Sequence, residues 1–181
     1  MFPKKIVALL FCFFSIVSCV DNLDFSQIED YSATPEYTSS LTHFTILPIQ
    51  FINQAGTQLT ERTDVTEFRV FENVYLRNNL IKVDFNVEVK NEFDRSFTLQ
   101  IDFLDSNNSA THSFKEIKVN ANNLDYKFTE TVEVSSNTNI KNTTKVKITV
   151  KMDNGTTPLD PNDKSEFKFK SAVKLYIDTG A

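Results

Sequence analysis

The chain has 181 residues, with 19 Lys and Arg against 24 Asp and Glu, and a formal net charge of −5. It contains 17 Phe but only three Gly, two Cys and two His, and no Trp. This composition excludes collagen-like, disulfide-stapled and low-complexity chains, and the acidic balance lacks the basic footprint of a nucleic-acid-binding protein. The length and the 40% hydrophobic content predict one domain with a buried core and short extensions.

The N-terminus has the pattern of an export signal. Lys4 and Lys5 precede a run from residue 6 to residue 17 that is almost wholly apolar. A helix that crosses a bilayer needs about 20 apolar residues, so this run is too short to span the membrane. A short apolar run after a positively charged start is instead typical of a signal peptide. The sequence therefore predicts that residues 1–18 direct export and are removed.

The apolar run ends with the four residues Ile16-Val17-Ser18-Cys19. They resemble the lipobox of bacterial lipoproteins, in which an aliphatic residue, a second modest residue and a small residue precede a cysteine. The resemblance implies cleavage between Ser18 and Cys19 and attachment of a diacylglyceryl group to Cys19. It also implies a place in the cell envelope, anchored by lipid to the outer membrane on its periplasmic face or at the cell surface. The alternative is ordinary secretion with Cys19 unmodified.

Residues 19–40 are predicted to form an acidic, flexible tether that begins with the lipidated cysteine. The segment is polar and aperiodic, and Pro35 would break any helix. Its acidic residues have two interpretations, a signal for display at the cell surface or a simple solvated spacer: Asp21, Asp24, Glu29 and Asp30.

From Leu41 onward the dominant hydrophobic period is two, which is the period of β-strands. Residues 81–89, 97–103, 146–152 and 167–177 alternate clearly, and 44–52, 65–76, 114–119 and 124–134 alternate more weakly. The apolar phase slips within 114–119, which predicts a β-bulge. Polar loops include 53–64 and 153–164, and 135–144 has room for one helical turn.

The pattern predicts an all-β domain over residues 41–181, a single antiparallel β-sandwich with an immunoglobulin-like arrangement of seven or eight strands. The many Phe residues are expected to fill the core between the two sheets.

Few residues have the chemistry of a catalytic site. The two histidines, His43 and His112, fall on different predicted strands, and no G-x-S-x-G motif occurs. Glycines occur singly, so no phosphate-binding loop is formed. After lipidation of Cys19 and loss of Cys12 the mature body would hold no free thiol. We therefore expect no enzymatic activity, no cofactor and no nucleotide.

Two weak binding hypotheses remain. The loop from residue 153 to 163 is rich in oxygen ligands and offers Asp153, Asp160 and Asp163 for Ca²⁺, although its spacing is not that of an EF-hand and turn chemistry favours the same residues. Exposed aromatic rings could stack on a glycan, but the five tyrosines are dispersed along the chain: Tyr31, Tyr37, Tyr75, Tyr126 and Tyr176.

Lysines are concentrated on the last two predicted strands. They would form a basic patch if both strands faced the same way, or would protect exposed strand edges. The lysines are Lys145, Lys147 and Lys151 in one segment and Lys164, Lys168, Lys170 and Lys174 in the other.

Together these features predict a membrane-anchored envelope lipoprotein that acts as a non-catalytic structural or protein-interaction module. In layout it resembles small envelope lipoproteins of Bacteroidota, with no functional residue beyond Cys19 implied by that resemblance. Its partners would be the membrane, through the lipid, and another envelope protein. The alternatives are a surface binding module for a glycan or Ca²⁺, and a pilus- or adhesin-type subunit that exchanges a strand.

Overall fold

The structure is a computed structural model that describes residues 34–153, 155 and 157–179. The predicted signal peptide, the Ser18–Cys19 cleavage site, the lipidation site at Cys19 and the tether as far as residue 33 lie outside the described residues. One compact unit extends from Ala33 to Gly180. Within the described segments, no helix combines the length and apolar character that crossing a bilayer would require.

Nine strands and one short helix make up the described part of the chain. In order they are β1 (Glu36–Ile46), β2 (Glu61–Glu67), α1 (Val74–Asn79), β3 (Leu80–Asn91), β4 (Phe97–Leu104), β5 (Ala110–Ser113), β6 (Ile117–Val119), β7 (Tyr126–Glu133), β8 (Lys145–Met152) and β9 (Phe167–Ile177). Short 3₁₀ turns lie at Pro48–Phe51, Val70–Glu72 and Thr138–Asn142. The strands form two antiparallel sheets, one in the order β1-β9-β3-β7 and the other in the order β2-β8-β4-β5, with β6 also paired to β4.

The predicted bulge lies between β5 and β6, which are one interrupted strand. Ser113 pairs with Asp102, and Ile117 pairs with Leu99. Four steps along this strand therefore oppose three steps along β4, and the extra residue is the cause of the phase slip in the sequence.

The prediction of a single antiparallel β-sandwich is confirmed, but its connectivity is not that of an immunoglobulin domain. With β5 and β6 counted as one strand, nearly every connection crosses from one sheet to the other, and each sheet alternates early and late strands. This order is that of a jelly roll, whereas the immunoglobulin order keeps the first two strands side by side. Alternation predicts which face of a strand is buried but not which strand lies beside it. The sequence pattern therefore does not distinguish a jelly roll from an immunoglobulin fold.

The inner faces of the two sheets meet in a core built mainly from phenylalanine, as predicted. Phe85 and Phe103, from opposite sheets, have ring centroids 4.2 Å apart, and Phe97 and Phe167 have centroids 4.6 Å apart. All four rings are almost fully buried. Since aromatic side chains bury large areas at low rotamer cost, they provide the volume that a core without Trp needs.

Several weaker strand predictions differ from the structure. β1 begins at Glu36, within the segment predicted as tether, and residues 48–51 form a 3₁₀ turn that starts at a proline. The second half of the segment 65–76 is helical because Asn73 caps α1, with its side chain accepting the N–H of Leu76 at 3.2 Å. Helical structure was predicted at 135–144 alone, where a 3₁₀ turn is indeed present.

Replacement of Phe103 tests whether the aromatic core holds the sheets together. Phe103 is 0% exposed and contacts Phe68, Phe85 and Phe114. Phe103→Ala should lower the free energy of unfolding by about 3–5 kcal/mol, because it leaves a cavity where collapse is limited. Urea denaturation measures the change. The control Val74→Ala, at a residue 55% exposed, should change stability by less than about 0.5 kcal/mol; similar effects of both variants would contradict the assignment of the core.

Candidate functional site

The two sheets are open to solvent along one side, where the edge strands β1 and β2 lie opposite each other. Between them is a cleft of about 190 Å³, which we call the edge cleft. Strands β1, β2 and β8 and the turn after β1 line it, through the residues Phe44, Thr45, Ile46, Gln50, Arg62, Thr63, Asp64, Ile148 and Val150.

The floor and one wall of the edge cleft are apolar. Phe44 stacks on Phe169 with ring centroids 4.9 Å apart and an interplanar angle of 9°. Ile46, Ile148 and Val150 are buried residues of the core. The cleft therefore reaches down to the hydrophobic core and can bind an apolar group.

The other wall carries charges in positions that are usually apolar. Arg62 is paired with Val150 and Asp64 with Ile148 across the β2–β8 ladder. Because directly opposite residues in a ladder point to the same side of the sheet, Arg62 and Asp64 lie on the core side of β2. Both are exposed, and within the described residues neither forms an ion pair or a side-chain hydrogen bond. Two charges without partners beside an apolar floor have the composition that ligand sites commonly show, mostly apolar with a few polar groups.

The size of the edge cleft restricts what it can bind. Pockets for drug-sized ligands measure about 300–1,000 Å³, and 190 Å³ is closer to the volume of one large side chain. A protein partner that inserts a single anchor residue fits this size, since binding energy in protein interfaces is concentrated in such anchors.

The sequence pattern does not reveal this site, because it predicts a loop over residues 53–64. The signal that could have found it lies in the segment Glu61–Glu67, where four of seven residues are charged and no face is consistently apolar. A strand at the edge of a sandwich can have this composition when its inner face borders water.

The two histidines do not form a catalytic site together. His43 is exposed on β1 of one sheet, and His112 lies on β5 of the other. His112 Nε2 is 3.3 Å from Glu130 Oε1, and its ring packs beside Phe103 and Phe114. The neighbouring Ser113 instead donates its hydroxyl hydrogen bond to Asp102 at 2.8 Å. Adjacent residues of a strand point to opposite faces, so Ser113 cannot be activated by His112.

The three aspartates proposed as weak calcium ligands are not brought together. Asp153 is 3.4 Å from the ammonium group of Lys118, Asp160 accepts the N–H of Asn162, and Asp163 accepts the N–H of Ser165. These short-range bonds are those of Asx turns. Across the described part of the chain, no three His, Cys, Asp or Glu residues are grouped so that they could hold a metal ion.

The lysines of the last two strands face opposite directions. β8 belongs to the five-stranded sheet and β9 to the four-stranded sheet, and both lie between two neighbours. The basic patch, which required both strands to face the same way, is therefore not formed, and the alternative that these lysines protect strand edges is wrong because both strands are internal. Sequence alternation placed them on exposed faces correctly, but could not tell to which sheet each strand belonged.

A second depression of about 190 Å³ lies on the outer face of the four-stranded sheet. Lys90, Lys168 and Lys170 line it together with Leu124 and Tyr126. Two of these ammonium groups are already paired, Lys90 with Glu92 and Lys168 with Glu166. Since a ligand would have to displace these carboxylates, this depression is a poorer candidate than the edge cleft.

Arg95 holds the loop after β8 against the turn after β3. Its Nε is 3.1 Å from Asp94 Oδ1, and its Nη2 donates to the carbonyl of Thr157 at 3.2 Å. A Cβ atom at Gly155 would lie 2.8 Å from the guanidinium carbon of Arg95, so a larger residue there would displace the guanidinium group. Burial of the guanidinium group makes this contact structural.

Tyr176 and Asp84 form a polar cluster on the outer face of the same four-stranded sheet. The hydroxyl groups of Tyr176 and Thr131 each donate to the Asp84 carboxylate at 2.7 Å. Partial burial opposes ionisation of Asp84, but these two hydrogen bonds and the attraction of Lys82 and Lys174 outweigh it, so the pKa of Asp84 is lowered.

The lowered pKa of Asp84 predicts a pH-dependent contribution to stability. Above the ordinary pKa of Asp, about 3.9, the ionised carboxylate stabilises the folded state, and this advantage over Asp84→Asn should disappear as the pH falls through the lowered folded-state pKa. Urea denaturation of both proteins from neutral to acid pH measures the difference. A difference that stays constant at acid pH would show that Asp84 contributes through packing and not through its charge.

No protein-family model matches the chain, and no curated protein matches it. Among solved structures, a candidate secreted protein from Parabacteroides distasonis is 13% identical with a TM-score of 0.49, and the match covers 64% of this chain and 38% of that one. The VP2 subviral particle protein of infectious bursal disease virus is 11% identical with a TM-score of 0.41, covering 84% of this chain and 34% of that one. A Desmodium yellow mottle tymovirus chain is 10% identical with a TM-score of 0.33, covering 81% and 89% respectively. The chain thus spans well under half the length of the first two proteins, and its jelly-roll assignment rests on its own strand order.

Proposed function

We propose that this protein is a lipid-anchored module of the bacterial cell envelope that binds another protein through the edge cleft and catalyses no reaction. The observation that carries the binding role is the pair of free charges, Arg62 and Asp64, on the core side of an edge strand above an apolar floor. These two charges lie opposite Val150 and Ile148, so they border the apolar floor directly and can add polar contacts to a partner group bound there.

The anchor is supported by the sequence at the N-terminus. Ile16-Val17-Ser18-Cys19 resembles a lipobox and follows a short apolar run that begins after two lysines. Each methylene group of a buried acyl chain contributes about 0.8 kcal/mol, and two or more chains give stable attachment. A domain held at a membrane in this way meets its partners at a raised local concentration, which makes a small binding site sufficient.

Metabolic labelling with a palmitate analogue tests the anchor. The wild-type chain, produced in a bacterium with lipoprotein-processing enzymes, should incorporate the label and fractionate with membranes. Cys19→Ala should lose both properties, because the acylated sulfur is absent. The control Cys12→Ala changes a cysteine within the predicted signal peptide and should retain the label. Label retained on Cys19→Ala would contradict lipidation at this site.

Site-specific photo-crosslinking in intact cells tests the binding role of the edge cleft. A photoreactive phenylalanine derivative at Arg62, on the core side of β2, should give a discrete crosslinked product of higher mass. The matched control is the same derivative at Val65, which lies on the outer face of the same strand and is 51% exposed. No product at either position, or equal products at both, would contradict partner binding in the cleft.

A further inference from the structure

We propose that the occupant of the edge cleft is a second copy of this chain, which adds its β1 strand antiparallel to β1 and inserts its Tyr37 into the cleft. This inference rests on the proposed binding role of the cleft and names its partner. A second copy is supported by the charges on the strand edges, the position of the bulge in β1 and the size of the cleft.

Among the sheet edges in the described part of the chain, β1 has the longest uncharged stretch, although it also contains a bulge. Edge strands usually carry charges or are short, which prevents pairing with another chain. β2 carries Glu61, Arg62, Asp64 and Glu67, β7 carries Lys127, Glu130 and Glu133, and β5 and β6 are short and interrupted by the bulge. In β1, by contrast, residues 37–42 are uncharged, and 36–40 are all exposed.

The one acidic residue of β1 does not oppose self-association. Glu36, at the start of the strand, forms an ion pair with Lys174 of the neighbouring strand β9. Two β1 strands can therefore approach without unpaired like charges, which would be destabilising if they lay directly opposite each other.

A bulge in β1 allows a register in which the two halves of the strand pair with each other. Tyr37 is paired with Leu175 and Phe44 with Phe169, so both face the core side, although they are an odd number of residues apart. The shift between Ser40 and Thr42 accounts for this change of phase. Opposite residues of an antiparallel pair share one side, so a register with the two-fold axis at the bulge sets core-side residues of the first half of one β1 opposite core-side residues of the second half of the other.

This register places Tyr37 at the edge cleft of the second copy. If the two-fold axis lies between residues 40 and 41, Tyr37 is opposite Phe44 of the other copy. If it lies between residues 41 and 42, Tyr37 is opposite Ile46. Both Phe44 and Ile46 line the cleft. Tyr37 is on the core side of β1 but remains 45% exposed. An aromatic ring with a polar tip suits a cleft with an apolar floor and a charged rim.

The arrangement is closed and symmetric, since each copy supplies one tyrosine and one cleft. It joins two four-stranded sheets into one continuous sheet, and each copy contributes the same surface, as in most homodimers. A single strand pair with two anchors forms a small interface, so we expect a weak dimer whose population depends on concentration.

Analytical ultracentrifugation of the fragment 33–180 tests the proposal. The fragment contains the complete core, because every member of the hydrophobic cluster lies between Ile46 and Ile177, and circular dichroism checks its fold. We expect a concentration-dependent mass of twice the monomer. Tyr37→Ala should weaken dimerisation at least about tenfold, or about 1.4 kcal/mol. Tyr75→Ala, at a tyrosine 50% exposed on α1, should leave dimerisation unchanged.

Disulfide trapping then identifies the strand that pairs. The fragment contains no cysteine, because Cys12 and Cys19 are the only two in the chain. Under oxidising conditions Ser40→Cys or Thr42→Cys, next to the two possible positions of the axis, should give covalent dimers. Glu133→Cys, exposed on the opposite edge strand β7 of the same sheet, should not.

A monomer at millimolar concentration, or a dimer that is trapped by neither β1 cysteine, would overturn the proposal. These failures are distinguishable from failure of the proposed function. If the photoreactive group at Arg62 crosslinks to a different protein while the fragment stays monomeric, the cleft is a binding site and its occupant is not a second copy.

Discussion

The structure depends on the packing of phenylalanine rings between two β-sheets. A chain without Trp, and with no cysteine in its described residues, obtains its stability from apolar burial and not from crosslinks. Rings from opposite sheets, such as Phe85 and Phe103, are in direct contact. Because interiors are packed as densely as organic crystals, this layer fixes the separation of the sheets and thereby the position of every side chain along their edges.

The jelly-roll strand order decides where the packing layer ends. It places β1 at the edge of one sheet and β2 at the edge of the other, and between these edges the aromatic layer gives way to the edge cleft. There Phe44 still contacts Phe169, whereas Arg62 and Asp64 occupy positions where the core would otherwise continue. The same geometry that closes the core thus creates a surface where apolar and charged groups are adjacent.

The outer faces of the sheets have a different character. Their lysines and carboxylates are interspersed, and pairs such as Lys147 with Asp102 and Lys174 with Glu36 neutralise one another. These pairs are only partly exposed, and they leave the flat faces without a concentrated field of either sign. The edge differs from these faces, because the charges of Arg62 and Asp64 there have no partner among the described residues.

The sequence by itself determined the β-class, the four strongly alternating strands, the bulge near Phe114 and the use of phenylalanine in the core, because these follow from local periodicity and side-chain volume. It also provided the lipobox-like segment around Cys19, which lies outside the described residues. Tertiary structure alone decided the strand order, the separation of the lysine-rich strands β8 and β9, and the edge cleft. These depend on which strands become neighbours. The alternation of apolar and polar residues along one strand carries no information about which distant strand it pairs with. Arg62 and Asp64 lie within residues predicted as a loop, so their place above an apolar floor became visible when β2 was found paired to β8.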